Sequence, residues 1–264
     1  MYWSVATRRV LGACCAFGFA FLYLPLAVVV STAFSKSGGF DLVPEGITTE
    51  WFTEAFANEG ARAALGRSLV LALAATAIAL VLGSLLAFAI SKYRFFGRNT
   101  LSLAVVLPLA LPGIVTALAL NLAFHEAGFT FGMVTLVLAH STFCIVVAYN
   151  NVIARLRRMS SSLDEASADL GARSITTFRL VTFPLIRSAL LAGALLSFAL
   201  SFDEIVVTTF TSGGTETLPQ WILNNTFRAK NVGIVAAVAT LVVLFSVIPV
   251  WIAQRVGDGA GAGH

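Results

Sequence analysis

The chain has 264 residues, of which 58% are hydrophobic and 11% charged, with a formal net charge of +4. A soluble domain of ordinary composition carries about 25% charged residues, so a water-soluble globule is excluded and the long uncharged runs place the chain in the membrane class. The basic residues fall in short clusters between apolar runs, which excludes a nucleic-acid footprint, and Cys14, Cys15 and Cys144 lie inside apolar runs as small hydrophobes, which argues against a disulfide framework or a metal site.

A helix needs about 20 predominantly apolar residues to cross the hydrocarbon layer. Six segments reach or approach that length, roughly 10–34, 68–90, 101–124, 131–154, 185–210 and 232–253, which predicts an all-α membrane protein forming a single domain over 1–264. The first segment is too long for a signal-peptide core and has no small-x-small cleavage pattern before "SKSGGFD", so it reads as a retained span. With an internal N-terminus, the clusters Arg8/Arg9, Lys92/Arg94/Arg98, Arg155/Arg157/Arg158 and Arg173/Arg179/Arg187, together with Arg255, all lie inside. Only Lys36, Arg62, Arg67, Arg228 and Lys230 are left outside. Excess Lys and Arg mark cytoplasmic loops, so both termini are expected in the cytoplasm.

After the first span, "TTEWFTEAF" in the outside segment reads as a short amphipathic helix, with Trp51, Phe52 and Phe56 placed for the headgroup level. In the second span Gly83 and Ser84, and in the fifth Gly193 and Ala194, are small enough to permit close helix approach. Pro108 and Pro112 in "VVLPLALPGIV" should break or kink the third span. His140 in the fourth is expected to bond between helices rather than to hold a ligand. The Gly/Ala tail at 257–264 carries no packing pattern and is expected to be disordered.

The connection 155–184 is long and falls inside. Its "SSLDEA" has a capping residue followed by acid in the first turn, and Gly171 supplies a left-handed stop, so a helix over about 162–171 is predicted. Pro184 then marks the expected start of the fifth span, where a missing N–H costs nothing. The order Glu165-Ala166-Ser167, three residues, Gly171, nine residues, Val181-Thr182-Phe183-Pro184 resembles the EAA motif of binding-protein-dependent ABC importer permeases, with Ser167, Val181 and Phe183 as conservative departures. The stretches "LAHSTFCIVVAYNNVIARL", "LSFALSFDEIVVTTFTSG" and "TLPQWI" further resemble the second permease subunit of spermidine/putrescine importers.

The resemblance implies the type I importer (MetI-like) permease fold in a bacterial inner membrane. It makes Glu165, Ala166, Ser167 and Gly171 part of a coupling helix that docks on an ATP-binding subunit. It also implies a second permease subunit, two ATP-binding subunits that hold ATP and Mg, and an extracytoplasmic substrate-binding protein, with transport by alternating access. No cofactor is expected on this chain, and no GxxxxGK[ST] phosphate loop occurs in it. Related branches that carry aminophosphonates, opines or ferric iron share much of this pattern. An intramembrane enzyme finds no nucleophile–base arrangement in the spans, and a membrane adaptor leaves the coupling-helix pattern without a purpose.

Within "SFDEIVVT" the adjacent carboxylates Asp203 and Glu204 are the candidates for a cationic substrate path. Sixteen residues separate Arg187 from Asp203, about 24 Å of helical rise, which sets the pair in the outer part of the bilayer. A carboxylate at a membrane centre costs at least ~2.5 kcal/mol, so two in succession demand a watery cavity or partners. On a continuous helix, Ser197, Ser201, Glu204, Thr208 and Thr211 form one polar stripe, while Asp203 shares a face with Leu196, Ala199, Val207 and Phe210. That geometry favours Glu204 for the path and leaves Asp203 to the path, to pairing with the partner permease, or to a local unwinding of the helix.

Overall fold

A computed structural model describes residues 4–39, 46–160, 162–228 and 232–261, with the side chains of 247–261 left aside. The described residues are helical apart from turns, loops and one isolated bridge between Ser35 and Ile47. They form two compact units, one of residues 1–63 with 221–247 and one of 64–220 with 248–264.

In the first unit, α1 (Val5–Phe34) starts where the Ser4 hydroxyl accepts the Thr7 N–H at 3.2 Å, an N-cap that satisfies one orphan donor. None of its apolar window is buried, so its surface is suited to lipid or to another subunit. Helix α2 (Glu50–Ala57) is the expected amphipathic segment. Its Trp51 is nonetheless turned onto the protein, the indole N–H donating to the Ser35 carbonyl at 2.8 Å, and Phe52 packs on Phe34 with ring centroids 5.0 Å apart. Phe56 alone of the three aromatics stays exposed. Helix α12 (Val232–Gly261) continues through the start of the Gly/Ala tail that was expected to be disordered.

The second unit takes up α3 (Glu59–Lys92) from Ala64 onward. Ala64, Ser68, Ala72, Ala75, Ala79, Ala87 and Ile90 recur at helical spacing and are buried. A Cβ on Gly83 would sit 2.8 Å from the Ile145 carbonyl and 2.9 Å from the Tyr149 nitrogen. The glycine is what lets α3 lie directly on the backbone of α6 (Met133–Leu156).

The third expected span is two helices, α4 (Arg98–Ala110) and α5 (Gly113–Glu126), bent by 107°. The break falls at Pro112, not Pro108. Leu111, before the proline, is driven to an extended conformation, while Pro108 is accommodated inside α4. The Ser102 and Tyr149 hydroxyls meet at 2.8 Å and tie α4 to α6.

After α6 come α7 (Ser162–Asp169), α8 (Ser174–Thr177), a π-helical turn Phe178–Thr182 and α9 (Phe183–Asp203). Pro184 was expected to open the fifth span. It does stand in the first turn of α9, and a π turn joins that start to α8, so the helical run is continuous from Ser174 to Asp203. Pro184 has no N–H to donate back, and the Phe183 N–H reaches Phe178, five residues earlier, so the wider turn relieves the clash. Helices α10 (Val206–Thr211) and α11 (Leu218–Thr226) follow.

The antiparallel α6–α9 pair is the centre of the second unit. Its first contacts advance four residues at a time, His140 with Ser201, Cys144 with Ser197 and Ala148 with Gly193, and the pairing continues two turns on with Arg155 and Leu185. The Cys144 and Ser197 side chains each bond the other's backbone carbonyl, at 3.4 and 3.3 Å. Small and hydroxyl residues at this interface allow close approach and supply polar bonds in place of a hydrophobic driving force that lipid removes.

Among the described residues four helical runs are long and apolar enough to cross a membrane, or five if the bent α4–α5 pair is one span. The described apolar part of α12, Val232–Ser246, is shorter.

Candidate functional site

The predicted cytoplasmic helix exists as α7, with Asp164 and Glu165 in its first turn, where they complement the positive end of the helix. Its end is a full Schellman closure. Gly171 has φ +76°, its N–H reaches the Ala168 carbonyl at 2.8 Å, and the Ala172 N–H reaches the Ser167 carbonyl at 3.0 Å.

One face of α7 is anchored. The buried Ser167 hydroxyl bonds the Thr177 hydroxyl at 2.8 Å, joining the helix to α8, and Lys92 from the end of α3 pairs with Asp164 at 3.0 Å. Glu165 and Ala166, turned away from Ser167, are exposed, as are Leu163 and Leu170, which flank Ser167 at i−4 and i+3, Leu170 to 88%. Leu163, Ala166 and Leu170 stand at i, i+3 and i+7, so they form an apolar stripe left exposed among the described residues. The sequence reading named Glu165, Ala166, Ser167 and Gly171 but missed the two leucines. Their helical spacing was the available signal.

At the C-terminal end of α9 the helix stops although neither Pro nor Gly is present. Glu204 is extended (φ −74°, ψ 119°), and α10 resumes at Val206. The run Ile205-Val206-Val207 is β-branched and weakly helical. The break is stabilised by side chains that take up the freed backbone groups. The Glu204 carboxylate accepts the Val207 N–H at 3.0 Å, and the Thr208 hydroxyl donates to the Glu204 carbonyl at 2.6 Å. At the other end of α10, Asn121 donates to the Phe210 carbonyl at 2.6 Å and the Thr135 hydroxyl to the Thr211 carbonyl at 2.8 Å. Such compensation is what a non-helical stretch requires where water is scarce.

The break changes which residues share a face. Ser197, Ser201, Thr208 and Thr211, expected as part of a stripe along an open path, are all buried, and their hydroxyls bond within the protein. Glu204 is half-buried, with one carboxylate oxygen committed to the cap. Asp203 is exposed, and Leu196, Ala199 and Val206 are exposed with it. Val207, expected beside Asp203, is buried instead, because the irregular residues 204–205 rotate α10 relative to α9.

His140 is fully buried beneath the break, as an interhelical bonding residue. Its Nδ1 lies 2.9 Å from the Ser201 hydroxyl and its Nε2 2.9 Å from the Thr208 hydroxyl. Interhelical side-chain bonds in membranes contribute only about 0.6 kcal/mol each, so two of them define register more than they add stability. Among the described residues no group of His, Cys, Asp and Glu could hold a metal ion.

Residues 79–259 match the family described as binding-protein-dependent transport system inner membrane component. The chain belongs to that family. It is 36% identical over 233 residues to the putrescine transport system permease protein PotI of Escherichia coli K12, covering 85% of this chain and 82% of that one. It is 33% identical over 250 residues to the spermidine/putrescine transport system permease protein PotC of the same strain, covering 93% of each. The fold is shared with a chain in the crystal structure of a bacterial ABC transporter involved in the import of the acidic polysaccharide alginate. That match has a TM-score of 0.73 and 16% identity, over 98% of this chain and 99% of that one. The chain is thus a multi-pass membrane permease subunit of an ABC importer with the MetI-like fold, and ATP hydrolysis belongs to a separate subunit.

Proposed function

We propose that this chain forms half of the translocation path for a small organic polycation, a polyamine such as putrescine or spermidine, across a bacterial cytoplasmic membrane. The observation that carries the reading is the Asp203 carboxylate, exposed beside the break in the fifth span. An acid there attracts passing ammonium groups and is disfavoured for an anionic solute. The putrescine and spermidine/putrescine permeases among the relatives support the same class. Glu204 contributes to the path through the carboxylate oxygen that the cap leaves over.

In the working importer this chain pairs with a second permease subunit and with two ATP-binding subunits that carry ATP and Mg. An extracytoplasmic binding protein delivers the substrate. Six spans with both termini in the cytoplasm put α7 on the ATPase side. The stripe of Leu163, Ala166 and Leu170, flanked by Glu165, is its docking face. ATP-driven closure of the ATPases moves α7, and the Ser167–Thr177 bond carries the motion into the helix that ends at Asp203.

One observation favours a second reading. Leu196, Ala199 and Val206 make the surface around Asp203 largely apolar, as a permease–permease contact would be. The test is Asp203→Asn in the assembled importer, reconstituted in liposomes with its loaded binding protein. The path reading expects polyamine uptake to fall about tenfold, the loss of one well-placed charge interaction, with subunit stoichiometry intact. Loss of the second permease on purification, with full uptake by whatever complexes remain, would establish the pairing reading instead.

A further inference from the structure

Both sides of the break in the fifth span are tied to one imidazole. Ser201 lies two residues before Asp203, and Thr208 lies four residues after Glu204; His140 of α6 bonds both, at 2.9 Å each. The hydrogen bonds fix the polarity of this bridge. The Thr208 hydroxyl has a single proton, and it is committed to the Glu204 carbonyl at 2.6 Å. Towards His140 that oxygen can therefore only accept, so Nε2 carries the ring proton and Nδ1 of the neutral ring accepts from Ser201. The chain of bonds runs from Nε2 through the Thr208 oxygen to the backbone of Glu204, whose carboxylate folds onto the Val207 N–H.

The ring has no freedom to compromise. It is fully buried, it packs on Phe143 with centroids 5.3 Å apart, and Ala139, Cys144 and Val207 are buried around it. A rigid ring with a donor at one corner and an acceptor at another holds two hydroxyls at a set separation, which a flexible side chain does not.

We propose that His140 is the positioning residue of the acidic pair: by bridging Ser201 and Thr208 across the break, it holds Asp203 outward and Glu204 capped, and so sets where the cationic substrate is met. This rests on the cation-path reading of Asp203 and Glu204. His140 itself touches no substrate.

A merely structural histidine would, on removal, lower transport and substrate-stimulated ATP hydrolysis together, in proportion to the complexes lost. A positioning residue uncouples them, because the ATPases still cycle while the solute site is displaced. The experiment measures polyamine delivered per ATP hydrolysed by purified, fully assembled importer in proteoliposomes, for His140→Ala, Thr208→Val and Asp203→Asn, and for each of the first two combined with Asp203→Asn. Thr208→Val removes, at nearly constant volume, both the partner of Nε2 and the bond to the Glu204 carbonyl, so it breaks the whole chain from His140 to Glu204 and tests that bridge if His140→Ala does not assemble.

The expected result is a fall of about tenfold in polyamine per ATP for each single variant, with no further fall in the combinations, since residues acting as one unit are non-additive. An unchanged ratio in assembled Thr208→Val, or losses that multiply in the combinations, overturns the positioning role while leaving the path reading intact. An unchanged ratio in Asp203→Asn overturns both.

Discussion

At the scale of single residues, Gly171 shows most directly how backbone geometry is tied to the proposed coupling. Nothing lies within 4 Å of a Cβ built there, so bulk is not what the position forbids. The constraint is φ +76°, which L-residues other than Asn and Asp rarely adopt, at a cost of roughly 1–2 kcal/mol. Gly171→Asn should therefore keep most uptake, because Asn tolerates the left-handed cap. Gly171→Val should open the Schellman closure, displace the end of α7 and lower substrate-stimulated ATP hydrolysis, with the chain still inserted. Equal activities of the two variants in inner-membrane vesicles would show that the closure has no part in coupling.

At the scale of elements, α7 and the fifth span differ in how far they could be read from the sequence. The ends of α7 are written locally: acid in its first turn and Gly171 past its end identify it without any tertiary information. The break at Glu204 has no such signal. It depends on His140, Asn121 and Thr135, which lie between 60 and 90 residues away in the chain and supply bonds that no local pattern announces. Local unwinding at the acidic pair was one of the sequence-based alternatives, but the stripe was drawn on a continuous helix, which set Thr208 and Thr211 in line with Glu204 when both are buried. Pro184 does open α9, as its chemistry indicated; what the sequence did not announce is the π turn that carries the helical run on from α8 into it. The missed leucines of α7 give this scale its prediction. Leu170→Asp places a charge at the most exposed position of the apolar stripe, one turn beyond the anchored Ser167. It should weaken retention of the ATP-binding subunits at least about tenfold, as loss of an interface anchor does, read by co-purification in detergent. Undiminished retention would move the docking face elsewhere.

At the scale of the whole molecule, the argument turns on which loops face the cytoplasm, since α7 can meet an ATPase only from that side. The basic clusters around Lys92–Arg98 and Arg155–Arg158 flank Asn99 and Ser160, while the loop after α10 that contains Thr215 has no Lys or Arg. The cost of carrying several arginines across the membrane during insertion favours the cytoplasmic side for those clusters. The Lys92–Asp164 pair adds a geometric check, because it joins the end of α3 to α7 and so requires both loops on one side of the bilayer. Single cysteines at Asn99, Ser160 and Thr215, in a chain whose own three cysteines are replaced by alanine, should therefore split two to one. Thr215→Cys should react with a membrane-impermeant maleimide added to intact spheroplasts, and Asn99→Cys and Ser160→Cys should react only after permeabilisation. Labelling of Ser160→Cys in intact cells would remove α7 from the ATPase side and with it the coupling role, whereas the fold and the α6–α9 register would stand, because neither depends on which way the bundle is inserted.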